Sequence, residues 1–158
     1  MTAITTTAGT PLSASLPGTW ELLSRIDMTA DGARVPEPSL GEDPIAWLIY
    51  DRNGHFAAQF MRRDRSAAMP EAPTGLPVAA KNNSRAQGGY DAYFGSYTID
   101  DTASAVTQTL TGALSPENVG MTLTRAMQVE GDRLVIKIDT TTGNGRAVTR
   151  TLTWKRIG

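Results

Sequence analysis

Three polar residues stand inside rows that are otherwise apolar at every second position. Arg125 lies between Leu123 and Met127, Gln108 between Val106 and Leu110, and Arg150 between Val148 and Leu152. Residues two apart on a strand share a face, so each of these side chains sits with core material. A guanidinium taken out of water without a partner is costly, so an inward arginine requires a carboxylate, a carbonyl or a bound molecule. A few polar groups converging in an apolar cavity are what a small-molecule site consists of. The alternative is an internal network in which Arg125, Gln108 and Tyr97 satisfy one another, and both stand open for Arg125. Tyr93 and Tyr97 join the set if their face is the inner one; otherwise Phe94, Ser96 and Thr98 point inward. Met127, in the Arg125 row, and Trp47 and Gln59, from two earlier strands, complete the candidate ligand contacts.

Other chemistry has little to work with. His55 is the one histidine, and its place directly after a turn reads as a surface rim residue, not a catalyst. The absence of cysteine excludes disulfides, thiolate metal sites and thiol nucleophiles. There is no Gly-x-Ser-x-Gly elbow and no phosphate-cradling Gly-x4-Gly-Lys-Ser/Thr loop. No cofactor and no metal is expected, and no catalytic residue is assigned. Fifteen basic against 16 acidic residues give a net charge of −1 with no basic stripe, which argues against nucleic acid as a partner. The nearest approach, Arg62-Arg63-Asp64-Arg65, is broken by its acid and reads as a solvated strand end.

The elements that must position these residues are short strands rich in Thr, Val, Ile and aromatics, separated by turn residues. They are expected at 19–27, 46–50, 55–62, 93–100, 104–114, 120–129, 133–139 and 147–157. Asp51-Arg52-Asn53-Gly54 joins the second and third, with Asn-Gly read as the two positive-φ residues of a type I′ turn. Two long connections interrupt the pattern. Residues 29–44 carry Pro36, Pro38, Gly41 and Pro44, and residues 63–89 have room for a short helix near 79–90. Connections this long border a site more often than they merely join strands, and both are read as shaping a mouth. Eight strands joined in order close most naturally into an antiparallel up-and-down barrel, all-β, with one short helix in a long connection. Closure also removes exposed sheet edges.

A chain of 158 residues suits one domain, able to bury roughly 70% of its unfolded surface. Residues 1–15 read as a flexible arm and 16–158 as the barrel domain. The arm lacks the features of a signal peptide, and no run reaches the 18 or so apolar residues of a membrane span, so a cytoplasmic protein with no membrane partner is expected. A homodimer is left open.

The order and spacing of several short motifs resemble a known family. Gly18-Thr19-Trp20-Glu21-Leu22 resembles the Gly-x-Trp opening of lipocalins, and Leu152-Thr153-Trp154-Lys155-Arg156 their closing strand. Leu48-Ile49-Tyr50-Asp51 with Gly54, Arg62 with Arg65, the run from Ala92 through Tyr93-Phe94-Gly95-Ser96-Tyr97 to Asp100, and Gly131-Asp132-Arg133-Leu134 narrow the likeness to the bacterial and fungal lipocalin-like domain family of calycin-type barrels. The resemblance covers about residues 16 to 157 and implies that Trp20 plugs the closed end with Arg156 across it; Arg150 is the weaker substitute. One departure is Gln108, where members of the family often carry histidine. What the resemblance implies is a barrel that holds a small, largely apolar or amphipathic metabolite as a carrier or binding protein, with Arg125 or Tyr97 on a carboxylate or carbonyl. The alternative, by analogy of fold, is a cofactor-free isomerase or cyclase, including pericyclic cyclisation, in a natural-product pathway. There Tyr97, Gln108 or Arg125 would donate hydrogen bonds to a carbonyl in a confined substrate.

Overall fold

The computed structural model describes residues 9–65, 86–142 and 145–158. One helical turn, α1 (Leu12–Ser15), precedes nine strands: β1 (Gly18–Met28), β2 (Arg34–Val35), β3 (Ile45–Tyr50), β4 (His55–Met61), β5 (Tyr90–Asp100), β6 (Ala105–Ala113), β7 (Thr122–Glu130), β8 (Arg133–Thr141) and β9 (Ala147–Arg156). Each stave from β3 to β9 pairs antiparallel with the next, and β1 pairs with both β3 and β9. This closes an eight-stranded up-and-down barrel. The two-residue β2 stands outside that count, lying against the end of β1 beyond the reach of β3.

Alternation sets the inner wall. Ala46, Leu48 and Tyr50 on β3, Phe56, Ala58 and Phe60 on β4, Val106, Gln108 and Leu110 on β6, and Leu123, Arg125 and Met127 on β7 are all buried. Leu134 and Ile136 on β8 and Val148, Arg150, Leu152 and Trp154 on β9 complete the wall. On β5 the inner face is the one bearing Asp91, Tyr93, Gly95 and Tyr97, while Phe94 is 54% exposed.

Two details differ from the sequence expectation. The β3–β4 hairpin forms, but its turn is not type I′: Gly54 takes φ +90° and Asn53 does not have a positive φ. Asp51 explains the longer loop, since its Oδ1 accepts from the amides of Asn53 and His55, both at 2.8 Å, and so organises residues 51–54 by itself. The short helix expected near 79–90 falls largely outside the described residues, and its described end is a tight turn closed by the Gln87–Tyr90 bridge. The helical turn that is described, α1, lies instead under the barrel base. Leu12 and Leu16 are buried there, and Asp101 holds the Ser13 amide at 2.8 Å and its hydroxyl at 2.6 Å.

The base is closed around Trp20, which is wholly buried. Its indole N–H donates to the Leu16 carbonyl at 3.0 Å, and the Arg156 guanidinium lies 4.3 Å from its ring centroid. Arg156 donates to the Pro17 carbonyl at 2.9 Å and also to that of Ser15. The opposite end, where β1, β4 and β8 finish, β5 and β9 begin, and Leu40 of the loop between β2 and β3 is buried, forms the mouth.

Candidate functional site

Among the described residues the mouth holds buried ion pairs, and the base does not. On β1 a bulge between Leu22 and Ser24 resets the alternation, so the inward row passes from Trp20 and Leu22 to Arg25 and Asp27. Asp27 is 3% exposed and takes both arms of the Arg150 fork, from Nε at 2.7 Å and Nη2 at 2.9 Å. Arg25 donates from Nη1 to Glu37 Oε2 at 2.8 Å. Burial and the neighbouring Arg150 both lower the proton affinity of Arg25, and Glu37 opposes them. Burial works against ionised Glu37 as well, but Arg25 and the Ser39 hydrogen bonds outweigh it and hold the carboxyl at about 2.

Asp91 is the third acid at this end, and it is placed differently. It is 4% exposed, forms no ion pair among the described residues, and accepts the Ala92 amide. Burial raises its carboxyl to about 7, against the smaller pulls of that amide and of Arg25. Arg25, Asp91 and Arg150 face one cavity together with Leu40, Phe60, Tyr93, Ile138 and Leu152. Its volume is about 20 Å³, room for a water molecule but far below the roughly 300–1,000 Å³ of a ligand pocket. Leu40, 3% exposed at the tip of the 36–44 loop, fills part of the mouth. The arginines after β4 hold the rim: Arg62 donates to the Pro38 carbonyl at 2.8 Å, Arg63 pairs with Asp43 at 3.0 Å, and Arg65 donates to the Gly88 carbonyl at 3.1 Å.

Deeper in the barrel lies a second polar set with its own partners. Gln108 Nε2 donates to the Tyr50 hydroxyl at 2.6 Å, and that hydroxyl lies 3.8 Å from Met127 Sδ. Burial, first of all, keeps Tyr50 protonated by pushing its hydroxyl well up. Tyr97 packs edge-on to Tyr50 at 4.8 Å and donates to the Asp51 carbonyl near the base. Arg125 is 7% exposed; burial lowers its proton affinity while Tyr93 and Tyr50 pull the other way. Trp154 packs against Phe60 at 5.8 Å, with its indole N–H buried and without a hydrogen-bond partner among the described residues.

Of the residues singled out from the sequence, Tyr93 and Arg150 line the mouth cavity. Gln108, Met127 and Tyr97 belong to the deeper set, and Arg125 faces it from β7. Trp47 and Gln59 do not face the interior, which corrects their reading as ligand contacts. They are cross-strand partners on the outer wall, with Trp47 51% exposed, because the facing of β3 and β4 is set by Leu48, Tyr50, Phe56 and Phe60. His55 is exposed and lies 3.0 Å from Asp51. Arg25, Asp27, Glu37 and Asp91 were not read from the sequence. For Arg25 and Asp27 the available signal is the adjacent apolar pair Leu22-Leu23, which marks a change of facing, and for Asp91 its place two residues before Tyr93; Glu37 has none.

A larger groove of about 430 Å³ lies at the base, between Pro17, Gly18, Tyr50, Asp51, Arg52, Arg156 and Gly158. It is open at the surface, and Arg156, its buried-side cation, is already bonded to two carbonyls and the Trp20 face. The mouth is therefore the better candidate. Among the described residues no cluster of three or more His, Asp or Glu is arranged for a metal ion, and no helix is long and apolar enough to cross a membrane.

Fold and site together define a closed antiparallel barrel with, at one end, a mainly apolar cavity into which three charged side chains point. The family profile described as lipocalin-like domain matches residues 17–157, and the chain belongs to that family. A barrel of this family fits small-molecule binding in general. No curated protein matches the sequence.

Proposed function

We propose that the protein binds a small amphipathic molecule at the open end of the barrel, as a carrier or binding protein. The observation that supports this is the convergence of Arg25, Asp91 and Arg150 with Phe60, Tyr93 and Leu152 on one cavity. Charged groups there gain nothing for packing that aliphatic side chains would not supply, since buried ion pairs are often no more stabilising than apolar replacements. They do give a ligand orientation and selectivity. The test is purification from the native host followed by mass spectrometry of the released small-molecule fraction. The reading expects one compound in near-stoichiometric amount, with Tyr93→Ala and Leu152→Ala preparations carrying less of it while still folded. Retention at full occupancy in both variants would move the ligand elsewhere.

A second reading, the cofactor-free isomerase, is favoured by one observation. Asp91 is a buried carboxyl whose proton affinity lies near neutrality, the property required of a group that accepts and returns a proton. In that reading Asp91 moves the proton, a role apart from the hydrogen bonds to a substrate carbonyl expected of Tyr97, Gln108 or Arg125. Recovery of the co-purifying compound as a mixture of two isomers, collapsing to one with Asp91→Asn, would select it over simple carriage.

A further inference from the structure

The 36–44 loop enters the mouth with two different groups. Glu37 brings a carboxylate to Arg25, and Leu40 brings an isobutyl group to the apolar wall of the same cavity. They form one unit: Glu37 Oε2 accepts from Arg25 at 2.8 Å and from the Leu40 amide at 3.2 Å, while Oε1 accepts from the Ser39 amide at 3.0 Å and also from its hydroxyl. Exposed contacts hold the unit from outside, chiefly Arg62 on the Pro38 carbonyl and Arg63 on Asp43. The left-handed Gly41, at φ +76°, follows Leu40 immediately.

We propose that Glu37 and Leu40 are an internal stand-in for the ligand, and that the molecule the mouth accepts is a monocarboxylate with an aliphatic body. This rests on the reading that the mouth is a binding site and deepens it. The argument is one of replacement. Withdrawing the loop would leave Arg25 buried without its partner, which is strongly unfavourable unless another anion arrives. It would also open an apolar hole beside Phe60, Tyr93 and Leu152, which is unfavourable unless apolar volume arrives with it. A neutral hydrocarbon restores only the second, and a small inorganic anion only the first. An aliphatic carboxylate restores both, so it competes with the loop on equal chemical terms. Displacing the loop also accounts for how a cavity of about 20 Å³ can admit a ligand.

The experiment is calorimetric titration of the full chain with decanoate and with decanol, for the wild type, Glu37→Gln and Leu40→Ala. Glu37→Gln removes the charge with which the loop competes, and decanoate should then bind about tenfold more tightly. Decanol, having no claim on Arg25, should bind the wild type about tenfold more weakly than decanoate and change less than twofold with Glu37→Gln. Leu40→Ala, which leaves the ion pair in place, should tighten both probes by a similar factor and serves if Glu37→Gln does not fold. The inference is overturned if decanol binds as tightly as decanoate, if Glu37→Gln leaves decanoate unaffected, or if Leu40→Ala weakens both. Failure of both probes in every variant would also overturn the ligand class, while the broader binding reading would still stand or fall on the co-purified compound.

Discussion

At the base of the barrel, Arg156 lies on the face of Trp20 and donates to backbone carbonyls, whereas at the mouth Arg25 and Arg150 are held by the carboxylates of Glu37 and Asp27. Both ends hold guanidinium groups, partly buried at the base and buried at the mouth, and satisfy them with different kinds of partner. Carbonyls and a ring face come with the chain wherever it folds, and nothing that diffuses in can readily take their place. Carboxylate partners can be replaced by a carboxylate from solution, and Glu37 stands on a loop, not on a stave. The base is thus built as a permanent closure and the mouth as an exchangeable one. Asp91 sharpens the contrast, being a buried acid at the mouth with no ion-pair partner among the described residues.

The largest effect should come from breaking the base. Trp20→Ala removes a wholly buried indole and the surface on which Arg156 rests, and should cost roughly 3–5 kcal/mol of unfolding free energy in a urea titration. A loss under about 1 kcal/mol would show that Trp20 does not carry the closure. Next is the fixed ion pair of the mouth. Asp27→Asn removes the charge facing Arg150, with side chains 4% and 1% exposed, and should cost roughly 3 kcal/mol by the same titration. A near-neutral result would mean that the Asp27 charge is dispensable and that the contrast between the ends is smaller than drawn.

The third prediction concerns pH and runs in the opposite direction. Asp91 has a folded-state value of about 7, above its usual 3.8, so its contribution to stability is fully present below about pH 4 and is lost as pH rises through about 7. Asp91→Asn should therefore match the wild type near pH 4 and exceed it at pH 8 by roughly 2–4 kcal/mol. Denaturant midpoints at the two pH values measure this, and a variant no more stable than the wild type at pH 8 would refute it. Glu37 has the reverse sign: held at about 2 against the usual 4.5, it contributes above about pH 4.5 and loses that contribution as pH falls toward 2. The groups facing Asp91 across the cavity are Arg25 on β1, Arg150 on β9 and Tyr93 on its own strand, with Glu37 and Asp27 on the two arginines.

The base was legible in the sequence and the mouth largely was not, for physical reasons. Trp20 and Arg156 were read from family motifs, and the rows Leu123-Arg125-Met127, Val106-Gln108-Leu110 and Val148-Arg150-Leu152 from strict alternation, which those strands obey. Alternation does not hold along β1, because a one-residue bulge exchanges the faces after Leu22 and turns Arg25 and Asp27 inward in place of Ser24 and Ile26. It could not decide β3, where Ala46, Leu48 and Tyr50 compete with Ile45, Trp47 and Ile49, two rows of similar hydrophobicity. Asp91 was missed because the strand begins at Tyr90, three residues before the expected start. Glu37 was missed because a proline-rich loop has no periodicity to show where a side chain points.

The central claim, that the mouth is the exchangeable end, is tested most directly by mapping backbone amide shifts in the ¹⁵N-labelled chain during titration with decanoate. The account predicts saturable shifts at Arg25, Glu37, Leu40, Asp91, Tyr93 and Leu152, with Gly18, Trp20 and Arg156 unmoved. Saturable shifts centred on Gly18, Asp51, Arg52 and Gly158, with the mouth residues silent, would place the site in the base groove and contradict it.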